Sequence, residues 1–178
     1  IAYIDTPLDH LDRTIREGKV SNNEKKKFYG NLKNFLSTLS KQTKKEILIC
    51  PHPKMKNSEK IFSKFKISKK RTIEIIPKAS LIIFSLSSAM TTAVLLRKKI
   101  LCIQSNLMGD YLLRLSNKYI NDLDLKKVNI DNFNSENKNK IYLKNLYNPT
   151  LYDRFIKNRL NCDGKIKSSN RIINIILK

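Results

Sequence analysis

The sequence predicts an α/β fold, with a parallel sheet covered by helices on both faces, from three observations. Short runs such as "EILIC", "SLIIF" and "KKILCIQ" are continuously apolar, as strands must be when both faces of a sheet are buried. From residue 1 to about residue 104 these runs alternate with stretches of helical periodicity, the signature of strand–helix–strand units. The 178 residues, 40% of them hydrophobic, suffice for one domain with a real core.

Each element has its own warrant. "IAYID" opens as a short strand, and "TPLDHLDRTIREGK" reads as a polar loop. "NNEKKKFYGNLKNFLSTLSK" is an amphipathic helix, because Phe28, Leu32, Phe35, Leu36 and Leu39 recur at steps of three and four. Asn22 or Asn23 would cap it, with Glu24 favourable in the first turn. "EILIC" is a strand stopped by "PHP", since proline cannot continue a ladder. "NSEKIFSKF" fits a short helix and "RTIEIIP" a further strand. "SLIIF", "SAMTTAVLLR" and "KKILCIQ" then read as strand, helix and strand. Residues 105–178 carry a weaker and mainly helical signal: "GDYLLRLSNKYI" as a helix, and "NPTLYDRFIKNRLN" as a helix capped by Asn148. Between them "NIDNFNSENKNKIY" is an Asn-rich loop or a frayed helix start, and "KIKSSNRIINIILK" fits strand and helix equally.

Composition narrows the function classes. The net charge of +21 fits nucleic acid, an anionic membrane face or a phosphorylated ligand, and it also fits a Lys-, Asn- and Ile-rich composition whose lysines are simply solvated. The basic residues are spread along the whole chain without an aromatic–basic run, so no nucleic-acid partner is expected. Cys50, Cys102 and Cys162 are isolated, without CxxC or HxxxH spacing. That pattern implies a reducing compartment, most simply the cytoplasm, and no metal site. No apolar run reaches the length of a transmembrane helix. The opening residues lack the features of a signal peptide and an initiator Met, which implies a chain that begins inside a longer polypeptide.

Two constellations carry candidate chemistry. Gly18, Gly30, Gly109 and Gly164 are isolated, so neither a GxGxxG turn nor a Walker loop is present. Instead "FSLSSAMTTA" sets Ser85, Ser87 and Ser88 between a strand and a helix, with Thr91 and Thr92 inside the helix. Ser87 or Ser88 would cap that helix, leaving first-turn N–H groups and a second hydroxyl for an anion. Ordinary N-capping explains the serines equally, and helix packing explains the threonines. In "ICPHPK" His52 follows a strand directly and is held between Pro51 and Pro53. A rigid imidazole there can donate to a phosphate or a base edge, or act as an acid–base group. Lys54, and Lys56 beyond it, would add charge beside a phosphate. His10 lies in the polar stretch and reads as an ordinary loop residue. Asp5, at the end of the first strand, is the acid that falls on the ligand edge, with a capping or turn role as the alternative.

The His-Pro pair after one strand and the serine turn after a later one, followed by "AVLLRKKILCI", resemble the donor-binding half of GT-B glycosyltransferases. The resemblance is closest to the bacterial sialyltransferase and polysialyltransferase type and to related capsule and surface-polysaccharide transferases. It covers residues 1–104, including "YIDTPLDH" and "FYGNLKNFLSTLSKQTKKEILICPHPK". It implies a Rossmann-like doubly wound sheet, the C-terminal half of a GT-B enzyme, with the N-terminal acceptor domain absent from this chain. It further implies that His52 and Pro53 contact a CMP-activated sugar, that Ser87 and Ser88 hold its phosphate with Ser85 beside them, and that His52 is catalytic. The acceptor would be a glycan or glycolipid, with a lipooligosaccharide or surface polysaccharide as product. No cofactor beyond the nucleotide-linked donor is expected, and the protein would work in the cytoplasm, peripheral to an anionic membrane. The alternatives are a CDP-glycerol glycerophosphotransferase, a basic nucleic-acid-binding α/β module and a scaffolding domain.

Overall fold

The computed structural model describes residues 1–55, 57–131, 133 and 140–160. Six strands form one all-parallel sheet: β1 (Ala2–Ile4), β2 (Leu48–Cys50), β3 (Lys66–Ile67), β4 (Ile82–Phe84), β5 (Ile100–Gln104) and β6 (Lys126–Asn129). Their order is β3-β2-β1-β4-β5-β6, with Tyr3 of β1 in register with Ile49 on one side and Ile83 on the other. The helices are α1 (Leu11–Glu17), α2 (Asn22–Thr43), α3 (Ser58–Ile61), α4 (Thr72–Ile75), α5 (Ala89–Leu95), α6 (Gly109–Leu123) and α7 (Pro149–Arg159). This is a Rossmann-like doubly wound α/β fold, as the sequence predicts.

Period-2 alternation divides each central strand between two apolar layers. Tyr3, Ile49, Ile83, Leu101 and Ile103 belong to the layer that buries Phe28, Leu32, Phe35, Leu36 and Leu39 of α2. Ala2, Ile4, Cys50, Ile82, Phe84, Ile100 and Cys102 belong to the layer under α5, α6 and α7, with Met90, Val94, Ile120, Tyr152 and Phe155. Cys50 and Cys102 are free buried thiols that fill space as small apolar groups.

Several local expectations change. The cap of α2 is Ser21 and not Asn22 or Asn23: its Oγ accepts the Glu24 N–H at 3.2 Å while Glu24 Oε2 accepts the Ser21 N–H at 2.8 Å. This reciprocal pair satisfies two donors that an asparagine one residue later would leave. "RTIEIIP" is α4 followed by a 3-10 turn (Ile76–Lys78), not a strand. Glu74 reaches back to the Arg71 N–H at 3.3 Å and Nε at 3.1 Å, closing a helical turn, and the strand position beside β2 is taken by β3. The stretch "TPLDHLDRTIREGK" holds α1, whose anchors are polar. Arg13 is buried and donates from Nε to the Met108 carbonyl at 3.1 Å and from Nη1 to the Gly18 carbonyl at 2.9 Å. Arg16 lies 4.4 Å over the ring of Tyr111, and Glu17 accepts the Tyr111 N–H. Gly109 has φ +80°, a backbone conformation that residues with a Cβ rarely adopt, and a Cβ there would displace the Glu17 carboxylate that bonds the start of α6.

α6 and α7 follow the sequence reading, with Asn148 Oδ1 accepting the Leu151 N–H at 3.2 Å. The described part of the Asn-rich segment forms neither helix nor strand beyond β6. Side chains of α2 hold it, through Asn31 to the Asp131 carbonyl at 3.1 Å and Gln42 to the Ile141 carbonyl at 2.6 Å. Cys162, Lys56 and the "KIKSSNRIINIILK" tail lie outside the described residues. Among the described residues no helix is long and apolar enough to cross a membrane.

Candidate functional site

The strand order places the site. From β1 the chain moves outward to β2 and β3, then returns to lay β4 on the other side of β1. The loops leaving the C-terminal ends of β1 and β4 therefore part in opposite directions and open a crevice. A cleft of about 550 Å³ lies there, lined by Asp5 and Thr6 after β1, Pro51, His52 and Pro53 after β2, and Ser87 and Ser88 after β4. Two bonds tie these loops together: the Asp5 N–H donates to the Cys50 carbonyl at 3.0 Å, and the Thr6 hydroxyl donates to the Leu86 carbonyl.

Asp5 is a strongly perturbed group on the cleft wall. It is 2% exposed, its Oδ1 accepts the Tyr3 hydroxyl at 3.0 Å, and its Oδ2 has no hydrogen-bond partner. Burial pushes its pKa up to about 6, against the lowering from the Tyr3 hydroxyl and from the backbone of His52 and Thr6. A buried carboxyl group poised near neutrality with one unpaired oxygen is suited to take up a proton.

His52 is held as its two prolines predict. Its Nδ1 accepts the Lys54 N–H at 3.2 Å and its carbonyl accepts the Met55 N–H at 2.8 Å, so the neutral ring carries its proton at Nε2. Burial, then His10 and Lys54, lower its pKa, so near pH 7 the ring is a neutral donor. The second histidine is beside it: the rings of His10 and His52 are 5.9 Å apart at 76°. His10 caps α1, its Nδ1 accepting the Asp12 N–H at 3.4 Å. His10 is thus a wall of the cleft and not an inert loop residue. Sequence reading missed it because α1 has no apolar stripe; His-x-Asp before a helical turn, read as a cap, was the available signal.

The serine turn is wired differently from the expectation. Ser87 Oγ accepts the Ala89 N–H at 3.2 Å, the Ser87 carbonyl accepts the Met90 N–H at 3.1 Å, and the Ser88 carbonyl accepts the Thr91 N–H at 3.1 Å. The first-turn amides expected to face an anion are therefore occupied, and an anion here would meet hydroxyls. Ser88 is exposed and makes no capping bond. Thr92, one turn on, lines the cleft together with Thr72 of α4, whereas Thr91 does not.

Two expected residues are not on this cleft. Ser85 is 1% exposed, and its Oγ has no partner among the described atoms; it lies beneath the turn and does not line the cavity. Lys54 turns away into a neighbouring cavity, because the Pro51–Met55 turn points its side chain to the far side of His52. Among the described residues no Lys or Arg lines the cleft, although Asp5 and Asp12 do. Among the described residues no group of three His, Cys, Asp or Glu side chains is placed to hold a metal ion.

Comparison with protein-family models, with curated proteins and with solved structures finds no match to this chain. The class that fold and site define is thus a Rossmann-like α/β domain with a polar cleft at its topological switch point. That cleft carries a buried carboxyl, an imidazole pair and a rim of hydroxyls.

Proposed function

We propose that the cleft binds a nucleotide-activated sugar, with CMP as the carrier, and that the domain is the donor half of a metal-independent glycosyltransferase acting on a glycan or glycolipid. One observation carries the reading: β1, β2 and β4 deliver Asp5, His52 and the Ser87–Ser88 turn to one cleft of about 550 Å³. That volume is in the range of small-molecule sites. The hydroxyls and the Nε2–H of His52 are neutral donors for the phosphate, and the chain's +21 charge draws an anion toward the cleft from a distance.

In transfer, an acceptor hydroxyl oxygen forms a bond to the anomeric carbon as the bond from that carbon to the phosphate oxygen breaks. CMP leaves with the bonding pair, stabilised by the His52 N–H, and the hydroxyl proton passes to the Asp5 carboxylate. In this reading another domain completes the acceptor site, and the protein works in the cytoplasm at an anionic membrane face, which attracts a chain of net charge +21.

Calorimetric titration with CMP-sialic acid and CDP-glycerol tests the proposal. Saturable binding of CMP-sialic acid, weakened tenfold or more by His52→Ala, supports it. Preference for CDP-glycerol redirects it to glycerophosphate transfer. Salt-dependent binding of any polyanion, unchanged by His52→Ala and Ser88→Ala, replaces it with nucleic-acid binding.

A further inference from the structure

His10 and His52 line a second cavity as well as the first, and they are the only residues the two share. The second cavity, of about 740 Å³, lies on the far side of the ring pair and carries Lys19, Lys25 and Lys54. Its one acid, Asp9, is already engaged with Lys25 at 2.9 Å. Lys19 and Lys54 form no ion pair with a carboxylate among the described residues. In each imidazole Nδ1 accepts a backbone N–H, so each neutral ring presents its N–H at Nε2. One cavity thus combines two ammonium groups without a carboxylate partner and the edges of two imidazoles, a lining that suits an oxyanion, with the lysines as its anchor.

We infer that this second cavity is an oxyanion-binding subsite for the co-substrate: an acceptor bearing a phosphate or carboxylate group, separated from the first cleft by the histidine pair. As an acceptor site it rests on the donor reading of the first cleft, but anion binding in it is measured independently. The pairing explains a division of labour. Among the described residues the first cleft holds Asp5 and Asp12 and no cation, so it offers a base to a hydroxyl, while the second holds the cations and no free acid, so it offers an anchor to the charge on the same molecule. The histidines stand where the two substrates would meet.

The experiment uses the full chain and three probes: inorganic phosphate, CMP, and vesicles of phosphatidylglycerol against phosphatidylcholine. Wild-type protein is expected to bind phosphate saturably, and a Lys19→Ala/Lys54→Ala variant to bind it at least tenfold more weakly, with CMP affinity within twofold of wild type. Ser88→Ala is expected to show the converse. Both lysines are exposed, so the variant keeps its fold, which circular dichroism checks. Binding to phosphatidylglycerol vesicles that depends on these lysines, without saturation by free phosphate, assigns the oxyanion to a lipid headgroup. Equal phosphate and vesicle binding by variant and wild type overturns the subsite. Loss of CMP binding in every form, with lysine-dependent phosphate binding retained, overturns the donor reading and leaves the subsite standing.

Discussion

The two cavities on either side of the histidine pair differ in almost everything except the pair itself. One is walled by a buried carboxyl and hydroxyls and, among the described residues, has no cation. The other is open to three lysines, and its single carboxylate is neutralised by one of them. A chain of net charge +21 therefore does not spread that charge evenly over its sites. Cations sit where water and carboxylates can solvate them, and the polar groups at the crevice between β1 and β4 are neutral or acidic. Net charge describes attraction at a distance, while the chemistry within contact range is set by which loops the topology brings together.

Breaking the first cleft should have the largest effect. The folded pKa of Asp5 lies above its unfolded value, so ionisation opposes folding. Its contribution is intact below pH 3.8, declines as pH rises, and is lost above about pH 6. The difference corresponds to about 3 kcal/mol. Asp5→Asn should therefore match wild type in urea unfolding at pH 3.5 and exceed it by about 2–3 kcal/mol at pH 8. A constant difference across pH would mean that Asp5 is not the buried group described.

The wall between the cavities comes next. His52→Ala should weaken CMP binding by about 1.5–3 kcal/mol, the worth of a hydrogen bond to a charged group. His10→Ala should weaken CMP and phosphate binding together, because that ring borders both cavities. If His10→Ala affects one ligand alone, the division between the cavities has been drawn in the wrong place.

A finer comparison lies within the serine turn. Ser87 Oγ accepts a backbone N–H and Ser88 Oγ caps nothing. Ser87→Ala should cost about 1 kcal/mol of stability in thermal or urea unfolding, as cap removal does. Ser88→Ala should leave stability unchanged and lower CMP affinity by about fivefold. The smallest effect belongs to the second cavity's ion pair: Lys25→Ala should change stability by less than about 1 kcal/mol, since its bond to Asp9 is solvent-exposed.

The central sheet and the His-Pro loop were legible because their physics is local. β1, β2, β4 and β5 are apolar on both faces, and prolines end the strand before His52. The edge strands were not legible. β3 is "KI" and β6 is "KKVN", with lysines where a central strand would have branched apolar residues. Charge on a sheet edge guards against further pairing, and it erases the pattern that marks a strand. α1 was missed for a related reason: it docks through Arg13, Arg16 and Glu17 and leaves Leu11 and Ile15 exposed, so no apolar stripe records its contact. Missing α1 meant missing His10. The fate of Ser85 and Lys54 was equally hidden, because a turn's residue types do not say which side chain faces the crevice and which lies beneath or behind it.

The chain has only two histidines, and both stand at the crevice, so their ring protons are a built-in reporter for proton NMR on untagged protein. Titration with CMP should move the His52 resonance, and with it that of His10, along one saturation curve that Ser88→Ala shifts to higher concentration. If CMP saturates the protein while both resonances stay still, or if they move as much with an unrelated polyanion, the crevice is not the nucleotide site.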